Sequence, residues 1–182
     1  MRHHARSFPP VIAQNPRCLI LGSMPGVKSL EAGEYYAHPQ NAFWKILSHL
    51  FGMPVDDYPA RLRIITQNDL ALWDVLKFCE RAGSLDSAIK TDTIETNDFA
   101  AFLTQHKNIC HIFLNGSKAA QEFKKRVFPN LPSDIAARLT LTPLPSTSPA
   151  HAGMRYCEKL KAWEILKDQA TFSTAPPRTK TL

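Results

Sequence analysis

The stretch Arg17-Cys18-Leu19-Ile20-Leu21-Gly22-Ser23-Met24-Pro25-Gly26 is an apolar run that ends in a glycine-bounded turn. A short, unbroken apolar run of this kind reads as a strand buried on both faces of a sheet. Working outward, Leu70-Ala71-Leu72-Trp73-Asp74-Val75-Leu76 predicts a second strand. Ile109-Cys110-His111-Ile112-Phe113-Leu114 predicts a third, stopped by Asn115-Gly116, and Leu139-Thr140-Leu141-Thr142 a last one. Helical periodicity fills the intervals. From Ala42 to Phe51 the apolar residues Phe43, Ile46, Leu47, Leu50 and Phe51 recur at helical steps. Further helices are expected over Asp98 to Gln105, through the basic stretch to about Val127, and from Met154 to Gln169. The last of these places Cys157, Leu160, Trp163 and Leu166 on one stripe. Strands alternating with helices imply βαβ units and a mostly parallel sheet covered on both faces. In such sheets ligands bind outside the carboxyl ends of the strands. Three strand ends open into unusual loops, Gly22 to Gly26, Asn115-Gly116-Ser117 and Pro143 to His151, which should share one rim.

The whole chain has 182 residues, of which 44% are hydrophobic, enough for one domain with a sizeable core. Residues 1–170 are read as that domain and 171–182, with Pro176-Pro177, as a disordered tail. The absence of a long apolar run or an evident signal peptide points to a cytoplasmic protein with no membrane contact. There are 22 Lys+Arg against 16 Asp+Glu, a net charge of +6, which suits a phosphate-bearing partner or a merely basic soluble protein. Arg2, Arg6, Arg17 and Lys28 lie in an acid-free opening segment that runs into the glycine turn, so their charge is expected to face that partner. The cluster Lys118, Lys124, Lys125, Arg126 and Arg138 reads as an ordinary solvated face. Cys18, Cys79, Cys110 and Cys157 include no close pair and the histidines have no metal-binding spacing, so reduced thiols and no metal are expected.

Gly22-Ser-Met-Pro-Gly26-Val-Lys28 superficially suggests a nucleotide-binding P-loop. That motif needs four residues between its glycines and a lysine directly after the second, and here Val27 intervenes. The stretch Tyr35-Tyr36-Ala37-His38-Pro39-Gln40-Asn41-Ala42-Phe43-Trp44 says more. Asn41 precedes an apolar-periodic helix and reads locally as its N-cap. An aromatic face, a carboxamide and a glycine turn on one rim also suit a flat heteroaromatic ligand, and a nucleobase is the natural one for a basic protein. Pro145-Ser146-Thr147-Ser148-Pro149 is either a plain surface loop or a stiff, hydroxyl-rich clamp on phosphates. A serine hydrolase built on Ser146 or Ser148 with His151 lacks the GxSxG elbow. Asp74 reads as an ordinary solvated strand-end acid, or as an acceptor behind the site.

The glycine turn and Tyr35–Trp44 together resemble the first motif region of the uracil-DNA glycosylase superfamily, closest to its hypoxanthine-DNA (deoxyinosine) glycosylase branch. Leu70–Val75 and Leu144–His151 resemble that branch as well. The resemblance implies a three-layer α/β/α sandwich around a mostly parallel four-stranded sheet. It implies a cofactor-free enzyme that hydrolyses hypoxanthine, and by extension uracil or xanthine, from DNA. A monomer is expected, and a monofunctional one because no lysine in the motif loops is placed as a Schiff-base nucleophile. By the same resemblance, Gly22, Ser23, Met24, Pro25 and Gly26 surround the base and Tyr36 stacks on it. Related mismatch-specific enzymes carry asparagine at the position of Met24, so water positioning passes to Asn41. Asn115 contacts the base or supports Asn41. Pro145, Ser146, Thr147, Ser148, His151 and Lys28 are the expected DNA contacts. Two other classes remain: a non-catalytic nucleic-acid-binding module that retains the fold, favoured by Met24, and a P-loop-like nucleotide hydrolase.

Overall fold

The computed structural model describes residues 4–171. The expected tail therefore lies, beyond Thr171, outside the described residues, as does Arg2. In chain order the elements are β1 (His4–Arg6), β2 (Val11–Ile12), β3 (Cys18–Gly22), α1 (Val27–Ala32), α2 (Phe43–Phe51), α3 (Tyr58–Gln67), β4 (Leu70–Asp74) and β5 (Leu76–Glu80). Then follow β6 (Glu95–Thr96), α4 (Phe99–Gln105), β7 (His111–Asn115), α5 (Ser117–Glu122), α6 (Ser133–Arg138), β8 (Thr140–Leu144) and α7 (Tyr156–Thr171).

The main sheet has the order β2-β4-β3-β7-β8. β4, β3, β7 and β8 are the four expected parallel strands, and β2 adds a two-residue antiparallel edge to β4. That edge falls in a proline-flanked segment too short to show a period. Alternation along β3 divides the core. Leu19 and Leu21 join Ala71, Ile112 and Leu114 under α4, α5 and α6. Cys18 and Ile20 join Leu70, Leu72 and Phe113 under α2, α3 and α7. Burial on both faces explains why these strands read as unbroken apolar runs.

The predicted second strand runs past the main sheet. Val75 donates its N–H to the Gly22 carbonyl (2.8 Å) and accepts from Asn97 (3.1 Å), and the chain continues as β5 into a separate antiparallel sheet, β1-β5-β6. The apolar stripe of α7 is Trp163, Leu166 and Ala170 with the stem of Lys159; Cys157 lies off it and is exposed, against expectation. Cys18 is buried as expected, and burial pushes its thiol up to about 12.

In the basic stretch of 117–138, Lys124 and Lys125 are exposed as expected, whereas the half-buried Lys118, Arg126 and Arg138 are engaged within the molecule. Lys118 and Arg126 both grip the buried Glu122, at 2.8 and 2.6 Å, and Arg138 donates to the carbonyls of Leu103 and Ile109. Arg17 precedes β3 at the amino end of the sheet. The strand β3 therefore carries it about 16 Å away from the carboxyl-end rim. Its charge does not face that rim, which corrects the expectation for Arg17 alone, since Lys28 of the same segment lines the rim pocket.

Candidate active site

The three loops do share one rim. They enclose a cavity of about 140 Å³ whose lining includes Gly22, Ser23, Met24, Pro25, Gly26, Lys28, Tyr36, Asn41, Asn115, Ser146, Thr147 and Ser148. An apolar cavity of about 150 Å³ holds benzene in another protein, so this volume suits a single heterocycle. The pocket also gathers His38, Ser84 and Asp86, which sequence reasoning did not place there, and Asp74, which it offered only as an acceptor behind the site. Ser84 and Asp86 arrive from the connection after β5, far away in sequence, and no local motif marks them.

Tyr36 is the best-braced side chain of the rim. Its backbone adopts φ 53°, a left-handed conformation that a bulky residue rarely takes. Its ring lies on Phe43, with centroids 3.9 Å apart and planes at 21°, so one face is already covered. Its hydroxyl accepts a hydrogen bond from Asn115 Nδ2 at 3.1 Å. Burial, and then the nearby Asp74, push its phenol well above the ordinary tyrosine range.

Asn115, at the end of β7, has committed most of its amide. Nδ2 donates also to Thr147 Oγ1 (2.9 Å), and Oδ1 accepts from Thr147 N (3.0 Å). Thr147 is therefore turned inward, and its carbonyl accepts from Ala42 N at 3.0 Å. Asn115 thus braces Tyr36 directly and the Asn41 segment through Thr147. Gly116 must follow it: φ is 93°, and a Cβ there would come within 3.0 Å of Ser146 Cβ.

The N-cap of α2 is Ala42 rather than Asn41, and Asn41 lies one residue before it, its Oδ1 accepting from Phe43 N at 3.0 Å. A carbonyl oxygen has a second lone pair, so this bond fixes the rotamer and still leaves acceptor capacity on a residue that lines the pocket. Ser146 Oγ and Ser148 Oγ accept from Ser148 N and Ala150 N, both at 3.2 Å, which leaves each hydroxyl a proton to donate. Pro145 and His151 do not line the cavity; their carbonyls receive Trp163 Nε1 (3.0 Å) and the buried Lys159 ammonium (2.9 Å). These two bonds hold the ends of the loop, and the His151 side chain is exposed. Lys28 stands at the mouth and, among the described residues, pairs only with the exposed Glu31, at 3.2 Å.

The glycine turn is pinned from the same distant connection. Ser84 Oγ accepts from Val27 N (2.8 Å), and Arg81 donates to the Pro25 and Gly83 carbonyls. With its first helical N–H taken, the turn is not an open phosphate cradle, which weighs against the P-loop reading. The amide of Ala37, next to Tyr36, is likewise committed to Ser29 Oγ (3.1 Å). Gly22 is required: a Cβ there would lie 2.6 Å from Asp74 Oδ1 and 2.8 Å from Tyr36 Oη. Asp74 is buried, not solvated as its strand-end position suggested, because Tyr36 and the connection carrying Asp86 close over it.

The comparisons agree with this geometry. The profile of the uracil DNA glycosylase superfamily matches residues 9–167. Hypoxanthine DNA glycosylases of Methanosarcina barkeri and Methanosarcina acetivorans are each 37% identical over 118 residues, 64% of this chain and 73% of theirs. The solution NMR structure of a protein from Methanosarcina acetivorans assigned as a uracil DNA glycosylase superposes with a TM-score of 0.75. It is 30% identical and covers 92% of this chain and 99% of that one. A parallel sheet whose carboxyl rim holds a heterocycle-sized pocket, together with these matches, places the chain in the uracil DNA glycosylase superfamily.

Proposed function

We propose that the protein is a monofunctional DNA glycosylase that hydrolyses hypoxanthine, the base of deoxyinosine, from DNA, with uracil and xanthine as further substrates. The observation that carries this reading is the pocket itself: room for one base beside a braced aromatic ring, with an asparagine oxygen at its edge. The names of the Methanosarcina relatives supply the base.

The lesion base leaves the stack for the pocket at a cost of a few kcal/mol, least for a mispaired base. Its face lies against Tyr36, whose other face rests on Phe43. The glycosidic bond breaks toward an oxocarbenium-like sugar, so the attacking water needs placement more than deprotonation. Asn41 Oδ1 receives one hydrogen bond from that water, on a rotamer fixed by Phe43 N. Met24, a thioether, offers no comparable acceptor. The hydroxyls of Ser146 and Ser148 and the Lys28 ammonium bond DNA phosphates, and Pro145 and His151 serve through the loop they terminate. No cofactor or second subunit enters the step.

Duplexes carrying hypoxanthine, uracil or xanthine, incubated with the protein and then alkali, report excision as strand cleavage. Hypoxanthine is expected to be cut fastest, and no cleavage of any duplex contradicts the reading. Met24 favours one other reading, a module that binds DNA without chemistry. Salt-sensitive binding with no free base released would select it.

A further inference from the structure

We propose that Asp74 is the acid of this pocket: its carboxyl holds a proton in the resting enzyme, hydrogen-bonds N7 of the flipped hypoxanthine, and transfers that proton as the glycosidic bond breaks. The inference rests on the glycosylase reading and goes beyond it, since it assigns how the leaving base is neutralised.

The geometry carries it. Asp74 ends β4 beside Gly22 and lines the pocket at 4% exposure. Its Oδ1 hangs over the bare Cα of Gly22 next to the Tyr36 hydroxyl, in a space that any β-carbon would close. Its Oδ2 is buried without a hydrogen-bond partner. Arg81 is spent on the Pro25 and Gly83 carbonyls, and its Nη1 is also unpaired, so among the described residues no cation bridges to this carboxylate. An ionised carboxylate left in that state is costly, whereas a protonated one is a neutral group with one donor to give.

The groups facing Asp74 come from every side of the pocket. Asp86, from the connection after β5, repels its charge and is itself held by Ser23 Oγ at 2.7 Å. Arg81 opposes that effect from the same connection; Tyr35, Tyr36 and His38 come from the loop after α1, and Lys28 stands at the mouth. Burial first, then Asp86, raise the Asp74 carboxyl to about 7. Burial also raises Asp86, against the Ser23 hydrogen bond and then Arg81 and Lys118. Two carboxyls with separated environments in one pocket are the usual arrangement for dividing acid from counter-charge.

The step balances. The C1′–N9 bond breaks and its electron pair passes to the purine, while the Asp74 proton moves to N7, the most basic nitrogen of an N9-substituted hypoxanthine. Neutral hypoxanthine departs and Asp74 is left as carboxylate. The water oxygen bonds C1′, its surplus proton goes to solvent, and Asp74 regains a proton from solvent after release.

The test is the single-turnover excision rate against pH on two duplexes, one with hypoxanthine and one with 7-deazahypoxanthine, for wild type, Asp74→Asn and His38→Gln. Wild-type rate on hypoxanthine is expected to fall about tenfold per pH unit above about pH 7. Asp74→Asn, near-isosteric and uncharged, is expected to be about 10²-fold slower at acid pH and flat across the range. His38→Gln keeps the wild-type fall. On 7-deazahypoxanthine, wild type and Asp74→Asn are expected to be equally slow. A flat wild-type profile, a fall that survives Asp74→Asn, or equal damage on both bases overturns the role of Asp74. A wild-type protein inert on hypoxanthine at every pH removes the glycosylase reading first, and this proposal with it.

Discussion

Two carboxylates are buried to almost the same degree, Glu122 at 2% and Asp74 at 4% exposure, and the protein treats them in opposite ways. Burial pushes the Glu122 carboxyl up, but hydrogen bonds from Lys118 and Arg126 outweigh it and leave the group below the ordinary glutamate range. Asp74 receives no such pairing and is raised to about 7. Away from the pocket a buried charge is given cations; at the pocket it is left without them. The same division separates two asparagines. Asn115 has spent its amide on Thr147 and Tyr36, whereas Asn41 is fixed by a single bond and keeps its remaining capacity.

The sharpest way to test that division is Asn41→Ala. Losing a group that acts only in the reaction is expected to cost about 10²–10³-fold in excision, the scale of removing one oxyanion-type donor. The lost hydrogen bond to Phe43 N should cost only about 1 kcal/mol in stability. Binding of lesion DNA, measured by titration, should persist. Equal losses in excision and stability would make Asn41 structural.

Glu122→Gln should do the reverse, costing about 1.5–3 kcal/mol in denaturant unfolding by weakening the charged hydrogen bonds from Lys118 and Arg126. The pH profile of excision should not move. Since the folded pKa of Glu122 lies below its unfolded value, its contribution is present above about pH 4.5 and is lost as pH falls through the folded pKa. The gap between wild type and Glu122→Gln should therefore close in acid.

Asp74→Asn carries the opposite sign. A folded pKa of about 7 against 3.8 means that wild type loses stability as pH rises between those values. The asparagine variant escapes that loss, so it should be more stable than wild type by about 4 kcal/mol above pH 7 and level with it near pH 4. A thermal melt series at several pH values reads this directly, and a gain that grows toward acid would refute the assignment.

The smallest effect belongs to the rim. Lys28→Gln should weaken DNA binding modestly and lower the salt slope by about one. Arg17→Gln, at the opposite end of the sheet, should leave both unchanged.

What could be read from the sequence follows from where the signals are local. β3, β7 and α2 are legible because burial imposes an apolar run or a helical period on consecutive residues. α3 escaped notice because its buried residues are only Ala60, Ile64 and Ile65 among polar ones. Its real signal was the Asp57 cap, accepting from Ala60 N at 2.7 Å, followed by Pro59. β5 hid inside the second apolar run because the chain changes sheets at Val75 without a break in hydrophobicity. The glycine turn, Tyr36, Asn41 and Asn115 could be named from their motifs. Ser84, Asp86 and the burial of Asp74 could not, since they arise when a distant connection folds over the strand end.

Release of free hypoxanthine from an inosine-containing duplex, followed by chromatography for wild type and Asn41→Ala side by side, tests the central claim most directly. The account predicts stoichiometric free base from wild type and almost none from the variant, with both bound to the duplex. DNA binding by wild type with no free base released would contradict it.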